Sequence, residues 1–175
     1  MSAIPVTVLG IDIPSSDPLF LAVVLGIHIP LGIACTLVGA AAMLSRKGRG
    51  RHSTFGKAYY WALLALFASA AILSAMRWAA NYHLFILGAL SFASAVLGRS
   101  AIRQRWPRSI ELHITGMGLS YVLMLIAFYV DNGRQLPLWR DLPHVLYWLL
   151  PACIGLPLIM RAALWHPLAR QSRLR

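Results

Sequence analysis

The chain has 175 residues, of which 59% are hydrophobic and only 12% are charged. A water-soluble protein needs more polar residues than this to cover its surface, so the composition predicts that lipid solvates much of the chain. The formal net charge is +11, but the positive residues lie at the ends of apolar segments and do not form one basic stripe. We therefore expect no nucleic-acid partner.

An N-terminal segment, residues 1–18, precedes the first long apolar run. It contains Asp12 and Asp17 and has no basic region before its apolar residues, so we expect a short external segment and not a cleavable signal. Because a span needs about 20 apolar residues, five segments qualify. These predicted spans are residues 20–44, 58–76, 78–97, 112–130 and 145–164, and a cytoplasmic tail, 165–175, follows them. The pattern predicts an all-α, polytopic membrane helix bundle in a single domain, 1–175.

Positive charge is concentrated in two connecting segments and in the C-terminal segment. Thirteen of the 16 Lys and Arg residues fall in residues 46–57, 99–108 and 161–175. Since positive charge is retained on the cytoplasmic side, these segments predict a membrane protein with its N-terminus outside and its C-terminus in the cytoplasm. The expected partner of the basic segments is the anionic lipid of the inner leaflet.

The first two spans each carry a histidine followed by a glycine. His28 lies about a third of the way along an apolar span, where an imidazole needs a partner and is by default a functional candidate. Gly32 follows it by four residues and shares its helical face. His52 begins the second span in the same way, with Gly56 four residues later. Pro30 should kink or locally unwind the first helix.

The third and fourth spans each carry one further histidine. His83 precedes Arg99 by 16 residues and His28 precedes Arg46 by 18, so both lie about 24 to 27 Å from the inner boundary. His113 begins the fourth span near the inner surface, as His52 does, and Gly116 follows three residues later. The sequence thus predicts two layers with two histidines each.

The fifth span follows an irregular loop and contains two prolines. His144 stands at its outer end and could join the outer layer as a ligand or a proton carrier. Pro151 and Pro157 should bend the helix. The two cysteines, Cys35 and Cys153, lie in apolar runs, where we expect neither a disulfide nor a zinc site.

Paired histidines on facing helices are what a transmembrane b-type cytochrome needs, since each haem iron takes an imidazole from each of two helices. We therefore predict haem b as the cofactor, with iron ligands His28 and His83 in the outer layer and His52 and His113 in the inner layer. The glycines that would leave room for a flat macrocycle are Gly32, Gly56 and Gly116.

Other interpretations of the same residues stay open. Histidines at helix ends such as His52, His144 and His166 are easily hydrated interface residues. The chain could be a non-catalytic helper or scaffold subunit that associates with itself or another membrane protein through small-residue helix faces. It could also be a small transporter whose histidines relay protons or bind a metal. No nucleophile motif or carboxylate pair is present, so no catalytic residue is assigned and an enzyme is not favoured.

Three sequence blocks resemble a family of uncharacterised bacterial multi-pass membrane proteins known as domain of unknown function 2306. They are HIPLGIACTLVGAAAML in the first span, HSTFGKAYYWALL in the second, and GRSAIRQRWPRSIELHITGMGLSYVLML across the second basic link. In that family a histidine, a glycine and a basic residue open the second helix, which corresponds to His52, Gly56 and Lys57. A second histidine opens another helix, which corresponds to His113. The resemblance implies a multi-pass topology in a bacterial inner membrane and implies no particular activity.

Overall fold

The computed structural model describes residues 6–8, 11–13, 17–48, 50–165 and 167. Predictions made for Arg49, for His166 and for the tail beyond residue 167 lie outside the described residues. Five helical segments are long and apolar enough to cross a membrane: Pro18–Leu44, Arg51–Met76, Trp78–Arg103, Ser109–Gln135 and His144–Trp165. The all-helical, five-span prediction is therefore confirmed, while the sidedness of the termini stays a prediction.

The first span changes its helical geometry in the middle. It consists of α1 (Pro18–Val23), a π-helical turn (Val24–His28) and α2 (Ile29–Leu44). In the π-helical turn the Ile29 N–H donates to the Val24 carbonyl, five residues earlier. Pro30 lies just after this bond and has no N–H of its own to donate, so the predicted local unwinding takes the form of a widened turn before the proline.

A short hairpin precedes the first span. Two three-residue strands, β1 (Val6–Val8) and β2 (Ile11–Ile13), pair antiparallel. The sequence interpretation gave this segment no regular structure. The Ile13 side chain is buried with Phe20 of α1 and Leu73, so the hairpin packs at the N-terminal end of the first span.

The other helices extend beyond the predicted apolar cores. They are α3 (Arg51–Met76), α4 (Trp78–Arg103), α5 (Ser109–Asn132), a 3₁₀ turn (Gly133–Gln135) and α6 (His144–Trp165). Helix α3, for example, begins seven residues before the expected position 58. A count of apolar residues measures only the part that prefers hydrocarbon, whereas backbone hydrogen bonds continue through polar residues at the interface.

The chain divides into two compact units, Met1–Phe85 and Ile86–Arg175. In the first unit α2 and α3 form an antiparallel helical hairpin, and in the second unit α5 packs against α6. The core of the second unit consists of Leu87, Val122, Ile126, Val130 and Tyr147. The single-domain organisation expected from the sequence stays a prediction.

Candidate functional site

The side chain of His28 forms a hydrogen bond with helix α3. The last residue of the π-helical turn, it is half-buried, and its Nδ1 atom lies 2.9 Å from the Oγ atom of Ser69 on α3. A π-helical turn adds a residue to the circuit of the helix and shifts the direction of the side chains beyond it, and such turns are frequent at functional sites. The polar partner that the sequence required for His28 is thus the hydroxyl of Ser69.

The bonds of Ser69 determine which nitrogen of His28 carries the proton. The Ser69 hydroxyl donates to the Leu66 carbonyl at 2.8 Å, so its hydrogen is already used. Its oxygen must therefore accept from the Nδ1–H of His28. In a neutral imidazole this arrangement leaves the lone pair on Nε2.

His52 contacts the end of the preceding helix. Its Nδ1 atom lies 2.8 Å from the carbonyl oxygen of Ala42, in the last turn of α2. The carbonyls of a last helical turn have no partner within their own helix, which makes them available to such a donor. Because a carbonyl oxygen can only accept, Nδ1 of His52 carries the proton here also.

His113 has the equivalent arrangement in the second unit. Its Nδ1 atom lies 2.9 Å from the carbonyl oxygen of Gly98 on α4. This carbonyl lies inside the helix, so the imidazole uses its second lone pair. Nδ1 of His113 is again the donor.

A close approach of two glycines lets His113 reach that carbonyl. A Cβ atom added to Gly116 would lie 2.7 Å from the Cα of Gly98 and 2.7 Å from the carbonyl oxygen of Ser94. A Cβ atom added to Gly98 would lie 2.9 Å from the backbone nitrogen of Met117. The absence of a side chain at Gly116 thus serves the packing of α5 on α4, and the space beside it is filled by that helix.

The other two glycines of the predicted site have open surroundings. A Cβ atom added to Gly56 would meet nothing within 4 Å, and one added to Gly32 would meet only the Leu66 Cδ1 atom at 4.0 Å. Neither glycine is needed for contact with a neighbouring helix. Both positions therefore leave open space beside the helix, and their role beside a haem stays a prediction.

The remaining histidines are placed less distinctively. His83 is half-buried on α4, with its ring 5.6 Å from that of Tyr82. His144 is exposed at the start of α6. No group of three or more His, Cys, Asp or Glu side chains in the described part of the chain could hold a metal ion. Each predicted haem iron takes only two histidines, and a search for groups of three does not test such pairs. The pairing of His28 with His83 and of His52 with His113 therefore stays a prediction.

The sequence interpretation missed Ser69, although a signal for it exists. His28 precedes Arg46 by 18 residues and Ser69 follows Arg51 by 18 residues. Across an antiparallel hairpin, equal spacing from the turn gives equal depth. The Ala and Ser run that contains Ser69 suggested only close helix packing.

The sequence interpretation also missed a similarity between the segments that begin at His52 and His113. Thr54 lies two residues after His52, and Tyr60 lies eight residues after it. Thr115 and Tyr121 follow His113 at the same two distances along the chain. Each histidine also donates from Nδ1 to a backbone carbonyl of the helix before it. The same hydrogen bond from a histidine to a backbone carbonyl therefore occurs once in each unit.

The family profile described as Predicted membrane protein (DUF2306) matches residues 25–150. That range includes the four histidines of the predicted layers and His144. Neither the search of curated proteins nor the search of solved structures gives a match. Since the matched region covers most of the 175 residues and the helices are those of a multi-pass membrane protein, the chain belongs to the DUF2306 family of membrane proteins.

Proposed function

We propose that this protein is a b-type haem-binding electron-transfer subunit of a bacterial inner membrane. The observation that carries the proposal is that three imidazoles make the same kind of hydrogen bond through Nδ1. His28, His52 and His113 each donate from Nδ1 to an oxygen on a different helix. Histidines that bind iron or another metal are oriented in this way, because a hydrogen bond at one ring nitrogen fixes the direction in which the ring points.

The depths of two of these histidines suit transfer across a membrane. His28 is level with Ser69, which lies 17 residues after His52 on α3. That separation is a rise of about 26 Å, close to the thickness of the hydrocarbon core of about 30 Å. In the first unit the two imidazoles therefore differ in depth by about 26 Å, as the two proposed layers require.

The donor set and the free space fit a haem. The iron ligands in this proposal are His28 with His83 and His52 with His113, and the space beside Gly32 and Gly56 suits a flat macrocycle. Haem, when bound, supplies one-electron redox chemistry. The chain contributes the imidazole nitrogens and, for His28, His52 and His113, their orientation through Nδ1.

An absorption spectrum tests the proposal. The full chain, purified in detergent from cells supplied with a haem precursor, should show a Soret band and sharp visible bands on reduction. His28→Ala and His52→Ala should each reduce the haem content per protein by about half, because each removes a ligand of one layer. His144→Ala is the matched control, since its exposed side chain lies outside the proposed pairs. A folded but colourless preparation that retains no haem after addition of haemin and removal of the unbound pigment would refute the proposal.

One observation favours the helper-subunit alternative. Ala65, Ala68 and Ala75 are exposed on α3, and small residues at this spacing allow another helix to approach closely. A helper subunit would co-purify with a membrane partner, and Ala68→Leu would abolish that association while His28→Ala would leave it intact. The haem proposal predicts that Ala68→Leu leaves the absorption spectrum unchanged.

A further inference from the structure

A basic cavity of about 670 Å³ lies where the first helical hairpin turns, between the end of α2 and the start of α3. It is outside the proposed haem site and has no role there. Its lining combines two guanidinium groups with apolar side chains: Ala41, Leu44, Ser45, Arg46, Arg51 and Phe55.

The two arginines have no acidic partner among the residues that the structure describes. Neither guanidinium lies within 4.0 Å of a carboxylate among the described residues. The chain has only five acidic residues, and the first unit holds just Asp12 and Asp17. Asp17 caps α1 at the opposite end of the first span, about 40 Å away along the helix. No described carboxylate neutralises the cavity, so its charge is available to an anion from outside the chain.

The apolar part of the cavity indicates which kind of anion. Leu44 is 88% exposed at the end of a membrane-spanning helix, and the Phe55 ring is half-buried beside it. A small inorganic anion would use the guanidinium groups and leave this surface unused. A phospholipid carries a phosphate and acyl chains together, so it would use both parts.

We propose that this cavity binds the headgroup of an anionic diacyl phospholipid, with its phosphate between Arg46 and Arg51 and its glycerol and upper acyl carbons against Leu44 and Phe55. Arginine suits this role because its planar fork can donate two hydrogen bonds to one phosphate. Helix α3 begins at Arg51, so its positive end adds to the attraction. Basic pockets between membrane helices are known sites for such headgroups.

The test is a lipid titration of the full chain in detergent, followed by native mass spectrometry and thermal unfolding. We expect phosphatidylglycerol to remain bound and to raise the melting temperature, and phosphatidylcholine at the same concentration to do so at least tenfold less effectively. This comparison needs only the wild-type chain. Equal binding of the two lipids would overturn the proposal. Inorganic phosphate that stabilised the protein as well as the anionic lipid would also overturn it, by identifying a free anion as the ligand.

A charge-matched pair of variants locates the site. Arg46→Gln/Arg51→Gln should weaken binding of phosphatidylglycerol at least tenfold. Arg103→Gln/Arg105→Gln removes the same charge from exposed positions that do not line the cavity, and should leave binding within twofold of wild type. An equal loss in both variants would mean that the lipid responds only to overall charge and would contradict the assigned site.

Discussion

The Nδ1 atom of His28 and the Oγ atom of Ser69 lie 2.9 Å apart and connect the first two spans at one depth. Both residues lie in otherwise apolar helices, where an unpaired polar group is costly. The Ser69 hydroxyl in turn donates to its own helix at Leu66. The bond therefore satisfies Nδ1 of the imidazole and fixes its tautomer without a charged partner.

Ser69→Ala should destabilise the protein by about 1 to 3 kcal/mol, because the imidazole of His28 loses its acceptor and stays half-buried. Thermal unfolding in detergent measures the effect. Ser94→Ala is the matched control: the Ser94 hydroxyl donates to the Leu90 carbonyl of its own helix, so its loss leaves no side chain without a partner. Equal melting temperatures for the two variants would show that the bond contributes nothing to stability.

Gly116→Ala should separate α5 from α4, because the new methyl group would lie 2.7 Å from Gly98 and from the Ser94 carbonyl. Both obstacles are backbone, which cannot rotate away, so we expect a loss of about 1 to 3 kcal/mol or more. Gly56→Ala is the opposite case, because nothing lies within 4 Å of the added carbon. It should be neutral or stabilise the helix by about 0.5 to 1 kcal/mol. A smaller loss of melting temperature in the Gly116 variant than in the Gly56 variant would contradict this packing.

The two glycines show how far the sequence alone could go. Spacing placed Gly56 and Gly116 on the faces of His52 and His113, since that follows from helical periodicity. It could not distinguish open space beside Gly56 from a packed helix beside Gly116, because that depends on which helices meet. The length of the apolar runs predicted the five spans, because a helix needs a minimum number of apolar residues to cross a membrane. The acceptors at Ala42 and Gly98 could not be predicted, because every residue has a backbone carbonyl and the sequence does not show which of them accepts a hydrogen bond.

Glu111→Gln should destabilise the start of α5. The Glu111 carboxylate is buried and accepts from the Nε atom of Arg108 at 2.6 Å. Because the Arg108 side chain is 65% exposed, we expect about 1 to 2 kcal/mol and not the larger cost of a fully buried pair. Asp141→Asn is the control, since its side chain is 93% exposed and 3.9 Å from Arg140. Its effect on the melting temperature should be within the error of the measurement.

Sidedness is tested by labelling single cysteines in intact cells, in a chain that carries Cys153→Ala to remove the exposed native thiol; Cys35 is buried and can remain. Leu138→Cys places a thiol in the loop between α5 and α6, and Gln104→Cys places one in the basic link before α5; both positions are exposed. Because positive charge is retained inside, a membrane-impermeant maleimide should label Leu138→Cys at once and Gln104→Cys only after the cells are permeabilised. The reverse pattern would invert the inner and outer histidine layers. It would leave the helices and the bonds of His28, His52 and His113 as they are, because those depend on packing within each unit and not on the direction of insertion.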